Sequence, residues 1–154
     1  MNDNQSSIGR QISILYRYGQ SYISKKLETY NIGSGQYIFL SALERNDGIS
    51  QEELSAYLKI DKATTAKAVK KLIEDGYIRR DIDSSDKRAY KVFLTPKAMA
   101  VIPFVQEAAR NWENKVNSGL TEEEKRLIEE LLHKMAQNAC QMKVNLEETK
   151  KYFH

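Results

Sequence analysis

Residues 50 to 95 read SQEELSAYLKIDKATTAKAVKKLIEDGYIRRDIDSSDKRAYKVFLT, and this stretch decides the fold. Ser50 and Glu53 have the spacing of a capping box, in which the hydroxyl and the carboxylate each accept from the other residue's backbone N–H. Asp61 is a second N-cap candidate, and it is expected to open a helix from about residue 62 to 75. The pattern therefore predicts a short capped helix, a tight turn and a second helix.

A β-hairpin is predicted after the second helix. Gly76 should end that helix, because a residue after a helix C-terminus commonly adopts a left-handed conformation. Residues 77 to 82 and 89 to 94 alternate apolar and polar side chains, as short strands do, and the polar residues 83 to 88 form the tip between them. Two helices followed by a charged hairpin are the layout of a winged helix-turn-helix, which places one helix in a DNA major groove. The expected fold class is mainly α with a small β-hairpin.

Long helices are expected on both sides of this module. Residues 8 to 30 and 96 to 148 carry apolar side chains at spacings of three and four. We expect a single domain over residues 1 to 154, with a winged-helix lobe at 34 to 95 between these terminal helices. The apolar faces of the terminal helices exceed what the small lobe can cover, which predicts a homodimer. The alternative is that the helices cover one another within a monomer.

Positive charge is concentrated in the predicted module. The net charge is only +3, but residues 59 to 97 hold eleven Lys and Arg against six Asp and Glu. The rest of the chain holds thirteen against fifteen. A local excess of basic residues is the electrostatic footprint of a nucleic-acid partner.

Several classes of protein are disfavoured by composition. No apolar run reaches the ~18–20 residues of a membrane span, and the N-terminus lacks the features of a signal peptide, so a cytoplasmic protein is expected. The chain has two histidines and one cysteine, Cys140, without a metal-binding cluster, a phosphate-binding glycine loop or a nucleophile motif. We therefore expect no metal, no cofactor and no enzymatic activity. Cys140 is expected to be a small, partly buried helical residue, with a redox-sensing thiol as the alternative.

The order of these motifs resembles the MarR (multiple-antibiotic-resistance regulator) family. The family pattern has an Asp or similar residue, a helix rich in hydroxyl and basic residues, Leu-x-x-x-Gly-hydrophobic-Ile-x-Arg, and a wing with Asp-x-Arg before Leu-Thr. The matching segments here are DKATTAK at 61 to 67, LIEDGYIRR at 72 to 80, DKR at 86 to 88 and YKVFLT at 90 to 95. The resemblance covers nearly the whole chain and implies a DNA-binding transcription regulator. We expect this regulator to be a homodimeric repressor.

Two groups of residues are expected to contact DNA. A helical projection places Ala66, Val69, Leu72 and Ile73 on the core side, and the opposite side should read base edges. The groove-facing candidates are Thr64, Lys67, Ala68 and Lys71. Thr65 is a further expected DNA-binding residue, and Lys62 and Lys70 are expected phosphate partners. At the wing, the resemblance implies that Arg88 enters the minor groove beside Lys87 and that Asp86 pairs with a basic side chain. A two-fold dimer would require a near-palindromic operator with half-sites about one helical turn (~34–36 Å) apart.

The resemblance also implies a small effector, often aromatic or phenolic, that binds between the dimerisation helices and the DNA-binding lobe. Tyr16, Arg17, Tyr37 and Trp112 are the candidates to line such a crevice, with the arginine holding a carboxylate and the aromatic rings flanking a ring. Tyrosines at helical spacing are more often core or interface residues. A winged-helix module that serves only protein assembly is the remaining alternative, although a basic helix face disfavours it.

Overall fold

The computed structural model describes residues 7 to 86 and 90 to 151, with side chains described as far as residue 144. The described part consists of six α-helices, one 3-10 turn and three short strands. In chain order these are α1 (Ile8–Lys26), the 3-10 turn (Glu28–Tyr30), α2 (Tyr37–Arg45), β1 (Ile49–Ser50), α3 (Gln51–Leu58), α4 (Lys62–Glu74), β2 (Ile78–Ile82), β3 (Tyr90–Leu94), α5 (Pro96–Val116) and α6 (Glu122–Lys151). The predicted fold class is confirmed, with α3 and α4 as the helix-turn-helix and β2 and β3 as the wing.

The chain forms two compact units, Met1–Glu113 and Asn114–His154. The first unit has one apolar core to which α1, α2, α3, α4, the sheet and α5 all contribute. Its most deeply buried side chains include Leu40, Leu54, Leu72, Val92 and Val105. The second unit contains α6. None of the helices in the described residues is both long enough and apolar enough to cross a bilayer.

The helix boundaries of the central module follow the predicted caps. Ser50 Oγ accepts from the Glu53 backbone N–H at 3.1 Å, and the Glu53 carboxylate accepts from the Ser50 N–H at 2.7 Å, so the capping box is complete. Gly76 has a φ of 77°, and its N–H and that of Tyr77 donate to carbonyls of the last turn of α4. These two bonds form a Schellman motif, which ends α4 and directs the chain into β2.

The sheet has three strands rather than the two that the sequence predicted. Its order is β1-β3-β2 and all pairings are antiparallel, with Ile49 opposite Val92 and Arg80 on the other side of Val92. The Gly48 N–H donates to the Val92 carbonyl at 3.0 Å, and an Asp47 carboxylate oxygen accepts from the Leu94 N–H at 2.8 Å. The segment before α3 is therefore bonded to the wing.

The first helix is shorter than expected. The sequence predicted a helix over residues 8 to 30, but α1 ends at Lys26 and residues 28 to 30 form the 3-10 turn. Asn31 then adopts a left-handed conformation with φ 55°, and its backbone N–H donates to the Glu28 carbonyl. Helix α5 contains Pro103 within its length.

Candidate nucleic-acid interface

The orientation of α4 decides which side chains can reach a partner. Its buried side consists of Thr65, Ala68, Val69 and Leu72, all no more than 5% exposed. These positions follow the spacing i, i+3, i+4, i+7 of a single helical stripe. The opposite side is solvent-exposed and consists of Ala63, Lys67, Lys70 and Glu74.

This orientation corrects part of the predicted site. Thr65 is 0% exposed and Ala68 is 5% exposed, so placing these two predicted DNA-binding residues on the exposed side of α4 was wrong. Ala66 and Ile73, which were placed on the core side, are only half-buried. At ~100° per residue, the true exposed face is rotated by roughly 70° from the predicted one. The missed signal was Thr65, because counting threonine as apolar completes the buried stripe.

The four lysines of α4 differ in how they are paired. Lys62 Nζ lies 2.9 Å from a carboxylate oxygen of Glu52 on α3, and Lys71 Nζ lies 3.0 Å from Asp75. Lys70 approaches Glu74 at 4.0 Å. Within the described parts of the chain, Lys67 forms no ion pair. A phosphate or a base acceptor could therefore bind the ammonium group of Lys67 without first displacing a carboxylate.

Two of these lysines are held by acidic neighbours. The hydrogen bond and charge of Lys62 lower the pKa of the Glu52 carboxyl, and Glu52 in turn raises the pKa of Lys62. This pair links the outer surfaces of α3 and α4. Lys71 points toward the C-terminal end of α4, where its partner Asp75 also accepts from the Asn31 amide at 3.4 Å. Lys71 is therefore committed to a contact within the fold.

The N-terminus of α4 is fixed by its cap. Asp61 accepts from the Thr64 N–H at 2.8 Å and from the Thr64 hydroxyl at 2.7 Å. These two bonds hold the pKa of the Asp61 carboxyl below its usual value, and the bond from the hydroxyl has the larger effect. Thr64 is exposed, so its predicted position near DNA agrees with its accessibility. Its hydroxyl group, however, already donates a hydrogen bond to Asp61.

The stem of the wing is rich in arginine contacts that the sequence analysis did not single out. Arg79 forms an ion pair with Asp81, and its guanidinium lies 4.6 Å from the centre of the Phe93 ring. Arg80 lies 5.6 Å from the centre of the Tyr90 ring and donates to the Gln51 side chain at 3.4 Å. Gln51 is the first residue of α3, so Arg80 joins the wing to the helix-turn-helix. The pairing register of β2 and β3 is the signal that places Arg80 there.

The tip of the wing begins with a local turn. The Asp83 carboxylate accepts from the backbone N–H of Ser85 at 2.9 Å and from its hydroxyl at 2.8 Å, which lowers the pKa of Asp83. Lys91 on β3 also approaches Asp83, at 3.8 Å. Asp86 is exposed. Lys87 and Arg88 lie outside the described residues, so their contact with DNA stays a prediction.

The four candidate effector residues lie on α1, α2 and α5. Burial raises the pKa of Tyr37, and electrostatic repulsion from Tyr16 adds to this shift. Trp112 packs against α1 at Gly19, where an added Cβ would lie 3.0 Å from the indole, and against the Tyr22 ring at 5.7 Å. The exposed Arg17 donates to Ser13 on its own helix. An effector role for these residues stays a prediction.

Cys140 is exposed on α6, and not partly buried as the sequence analysis expected. No cluster of three or more His, Cys, Asp or Glu side chains that could hold a metal ion occurs in the described residues.

Comparison with known proteins gives one consistent family. The family model described as MarR family matches residues 30–89. The chain is 34% identical to the uncharacterized HTH-type transcriptional regulator YybA of Bacillus subtilis, over 90% of this chain and 89% of that protein. It is 48% identical to a MarR transcriptional regulator from Methanosarcina mazei of known structure, with a TM-score of 0.80 over 88% of this chain and 97% of the other.

A third relative was solved together with nucleic acid. This protein from Listeria monocytogenes, assigned to the MarR-family transcriptional regulators, was crystallised in complex with 26mer DNA. It is 28% identical to the present chain and superposes with a TM-score of 0.81, covering 86% of this chain and 89% of that one. The extent of these matches, together with the three-stranded winged helix described above, shows that the chain belongs to the MarR family of transcription regulators.

Proposed function

We propose that the protein is a sequence-specific DNA-binding transcription regulator that acts as a homodimer. The observation that carries the proposal is the exposed side of α4, where Ala63, Lys67 and Lys70 face solvent and Lys67 forms no ion pair within the described residues. A small residue beside two lysines allows close approach to a major groove, and lysine donates to guanine acceptors or phosphates. The Listeria monocytogenes relative bound to 26mer DNA supports a DNA partner.

The wing is proposed to contact the groove that flanks the major-groove site. Arg79 and Arg80 keep cationic groups on the exposed stem, and Arg88 is proposed to enter the minor groove, where a narrow groove concentrates negative potential. Because Arg80 bonds to Gln51 at the start of α3, the stem and the helix-turn-helix present their charges together. Lys62 would have to exchange Glu52 for a phosphate to take part.

The dimer is proposed to form through apolar side chains that a single chain leaves exposed. On α6, Leu127 is 53% exposed and Leu131 is 49% exposed, and they recur one turn apart. On α1, Ile8 and Leu15 are 63% and 50% exposed. Large apolar side chains repeated along a helix mark an interaction surface, and a second copy of the chain is proposed to cover each of these helices. Two copies would present two α4 helices to a near-palindromic operator.

The regulatory outcome is proposed to be repression that a small effector relieves. An effector can release DNA only if it binds the DNA-free conformation of the dimer more tightly than the DNA-bound one. A repressor would lower transcription from a promoter that contains the operator, and the effector would restore it.

The DNA proposal is tested with an operator selected from a random duplex library and binding followed by fluorescence anisotropy. Lys67→Ala should weaken binding, either with relaxed base preference or with a log–log salt slope smaller by ~0.9, as expected when one phosphate contact is lost. Lys25→Ala removes the same charge from α1 and is the matched control. Equal operator affinities for Lys67→Ala and the unchanged protein would contradict a role for the exposed side of α4 in DNA recognition.

The dimer proposal is tested separately by light scattering during size-exclusion chromatography. The chain has a mass of 17.8 kDa, so a dimer should elute with about twice that mass. Leu131→Arg should shift the protein toward monomer and reduce operator affinity, whereas Glu130→Arg, its exposed neighbour, should leave both unchanged. A monomer at all concentrations would contradict the proposal.

A further inference from the structure

The first turn of α3 contacts one cation from each of two neighbouring elements. Gln51, the first residue of α3, accepts from the guanidinium group of Arg80 on β2 at 3.4 Å. Glu52, the next residue, accepts from the ammonium group of Lys62, the first residue of α4, at 2.9 Å. The stem of the wing and the start of α4 therefore each direct a basic side chain to this turn.

The two contacts differ in charge. The Gln51 side chain is neutral, so its hydrogen bond does not offset the charge of Arg80. The Glu52 carboxylate does offset the charge of Lys62. The hydrogen bond from Lys62, followed by its charge, lowers the pKa of Glu52, so the pair is ionised at neutral pH. The other carboxylate of the turn, Glu53, is held in the capping box. Glu52 is thus the acidic side chain of this turn that acts on α4.

The position of Lys62 suits a phosphate contact. Lys62 precedes Ala63 and therefore lies ~100° around the helix from the exposed side of α4, where phosphates that border the groove are expected. A carboxylate and a phosphate offer an ammonium group the same kind of acceptor, an anionic oxygen. The side chains of Lys62 and Glu52 are 78% and 77% exposed, and an ion pair this accessible is weak enough for a competing anion to break.

We infer that Glu52 is an internal substitute for a DNA phosphate, which holds Lys62 until a phosphate takes its place and thereby limits the affinity of the protein for DNA. The exchange costs the ion pair and leaves a carboxylate beside the duplex, which carries one negative charge per ~1.7 Å of helix axis. Glu52 therefore sets the strength of binding and not the base preference, because phosphate contacts carry no sequence information. This role of Glu52 rests on the proposed DNA-binding function.

A double-mutant cycle on the full chain tests the exchange. Operator affinity is measured by fluorescence anisotropy at low salt for the unchanged protein, Glu52→Gln, Lys62→Met and the variant with both changes. Glu52→Gln should tighten binding about two- to fivefold, the range that an exposed ion pair provides. Repulsion between Glu52 and DNA acts whether or not Lys62 is present, so the difference between the gains in the two backgrounds isolates the pair. Equal gains in both backgrounds, or no gain in either, would overturn the inference.

Two controls separate the pair from other effects of charge. Glu52→Gln should tighten binding to a scrambled duplex by the same factor as to the operator. A gain confined to the operator would place Lys62 on a base edge and overturn its assignment to a phosphate. Glu113→Gln removes the same charge from α5 and should leave operator affinity unchanged. A gain equal to that of Glu52→Gln would assign the effect to net charge and overturn the role of Glu52.

The measurements also separate failure of this role from failure of the proposed function. Lys67→Ala, titrated in parallel, reports whether the exposed side of α4 binds DNA. If Lys67→Ala weakens binding and Glu52→Gln has no effect, the proposed function stands and Glu52 does not limit affinity. Without DNA, an NMR titration of the Lys62 side chain should give a lower pKa in Glu52→Gln, because Glu52 raises the pKa of Lys62. An unchanged pKa would show that the pair does not form in solution, and would overturn the inference whatever the protein binds.

Discussion

Replacing Thr65 by valine tests the orientation of the recognition helix directly. Thr65 is 0% exposed, and its hydroxyl has no hydrogen-bond partner among the described residues. A buried hydroxyl without a partner costs roughly 1–3 kcal/mol, and valine has nearly the same shape without that group. Both residues are β-branched, so their helix propensities differ little. Thr65→Val should therefore raise the free energy of unfolding by about 1–2 kcal/mol.

The effect is large enough to measure by thermal unfolding. For a chain of this length, 1 kcal/mol shifts the midpoint by ~2–4 °C, so an increase of about 2–8 °C is expected. Operator affinity should not change, because the side chain faces the core. Thr64→Val is the matched control: it removes an exposed hydroxyl that donates to Asp61 at 2.7 Å, so it should not stabilise the protein.

The reasoning fails if Thr65→Val lowers the midpoint, or if the folded variant loses operator affinity. Either result would mean that the Thr65 hydroxyl has a partner that the buried position does not reveal, or that α4 presents the face first predicted from its sequence.

Two further predictions concern the backbone at Gly48 and the N-cap of α4 at Asp61. Gly48 has a φ of 79°, and an added Cβ would lie 2.7 Å from the Phe93 ring, so Gly48→Ala should cost at least the ~1–2 kcal/mol of a left-handed residue. Gly35→Ala, with open space around it, is the control in urea unfolding, and equal midpoints would contradict the steric argument. Because the folded pKa of Asp61 is depressed, its contribution to stability is fully present above the unfolded value of ~3.9 and is lost as pH falls through the folded value. Asp61→Asn should flatten the dependence of unfolding free energy on pH below about 4, and identical slopes for the two proteins would show that the cap is not the cause.

The features that could be predicted from sequence are those set by near neighbours in the chain. The capping box at Ser50, the cap at Asp61 and the Schellman glycine Gly76 involve residues within five positions of one another, so their chemistry is legible in a short window. Strand β1 could not be predicted in this way. Ile49 has no periodic pattern of its own and becomes a strand because it pairs with Val92, more than forty residues later.

The helix that carries the candidate site was predicted from the sequence, but its orientation was not. Lys67 and Lys70 are on the exposed side of α4, as a basic recognition helix requires. The rotation error arose because Thr65 was classed as polar, although the hydrophobic core surrounds it completely. Ion pairing was equally hidden: Lys62 is paired with Glu52, which is ten residues away in sequence and on another helix. Such pairing depends on how α3 and α4 pack, which no local pattern specifies.

The two residues of β1 have a consequence for how this fold can diverge. They hold β3 from one side while β2 holds it from the other, so the base of the hairpin is fixed independently of the connection at residues 83 to 89. Insertions and deletions in that connection can accumulate without moving the helices, because loop lengthening costs only ~0.6 kcal/mol per doubling. A single-residue shift at the base would invert every side chain of a strand. Paralogues can thus differ in the length of this one loop while inheriting the scaffold unchanged.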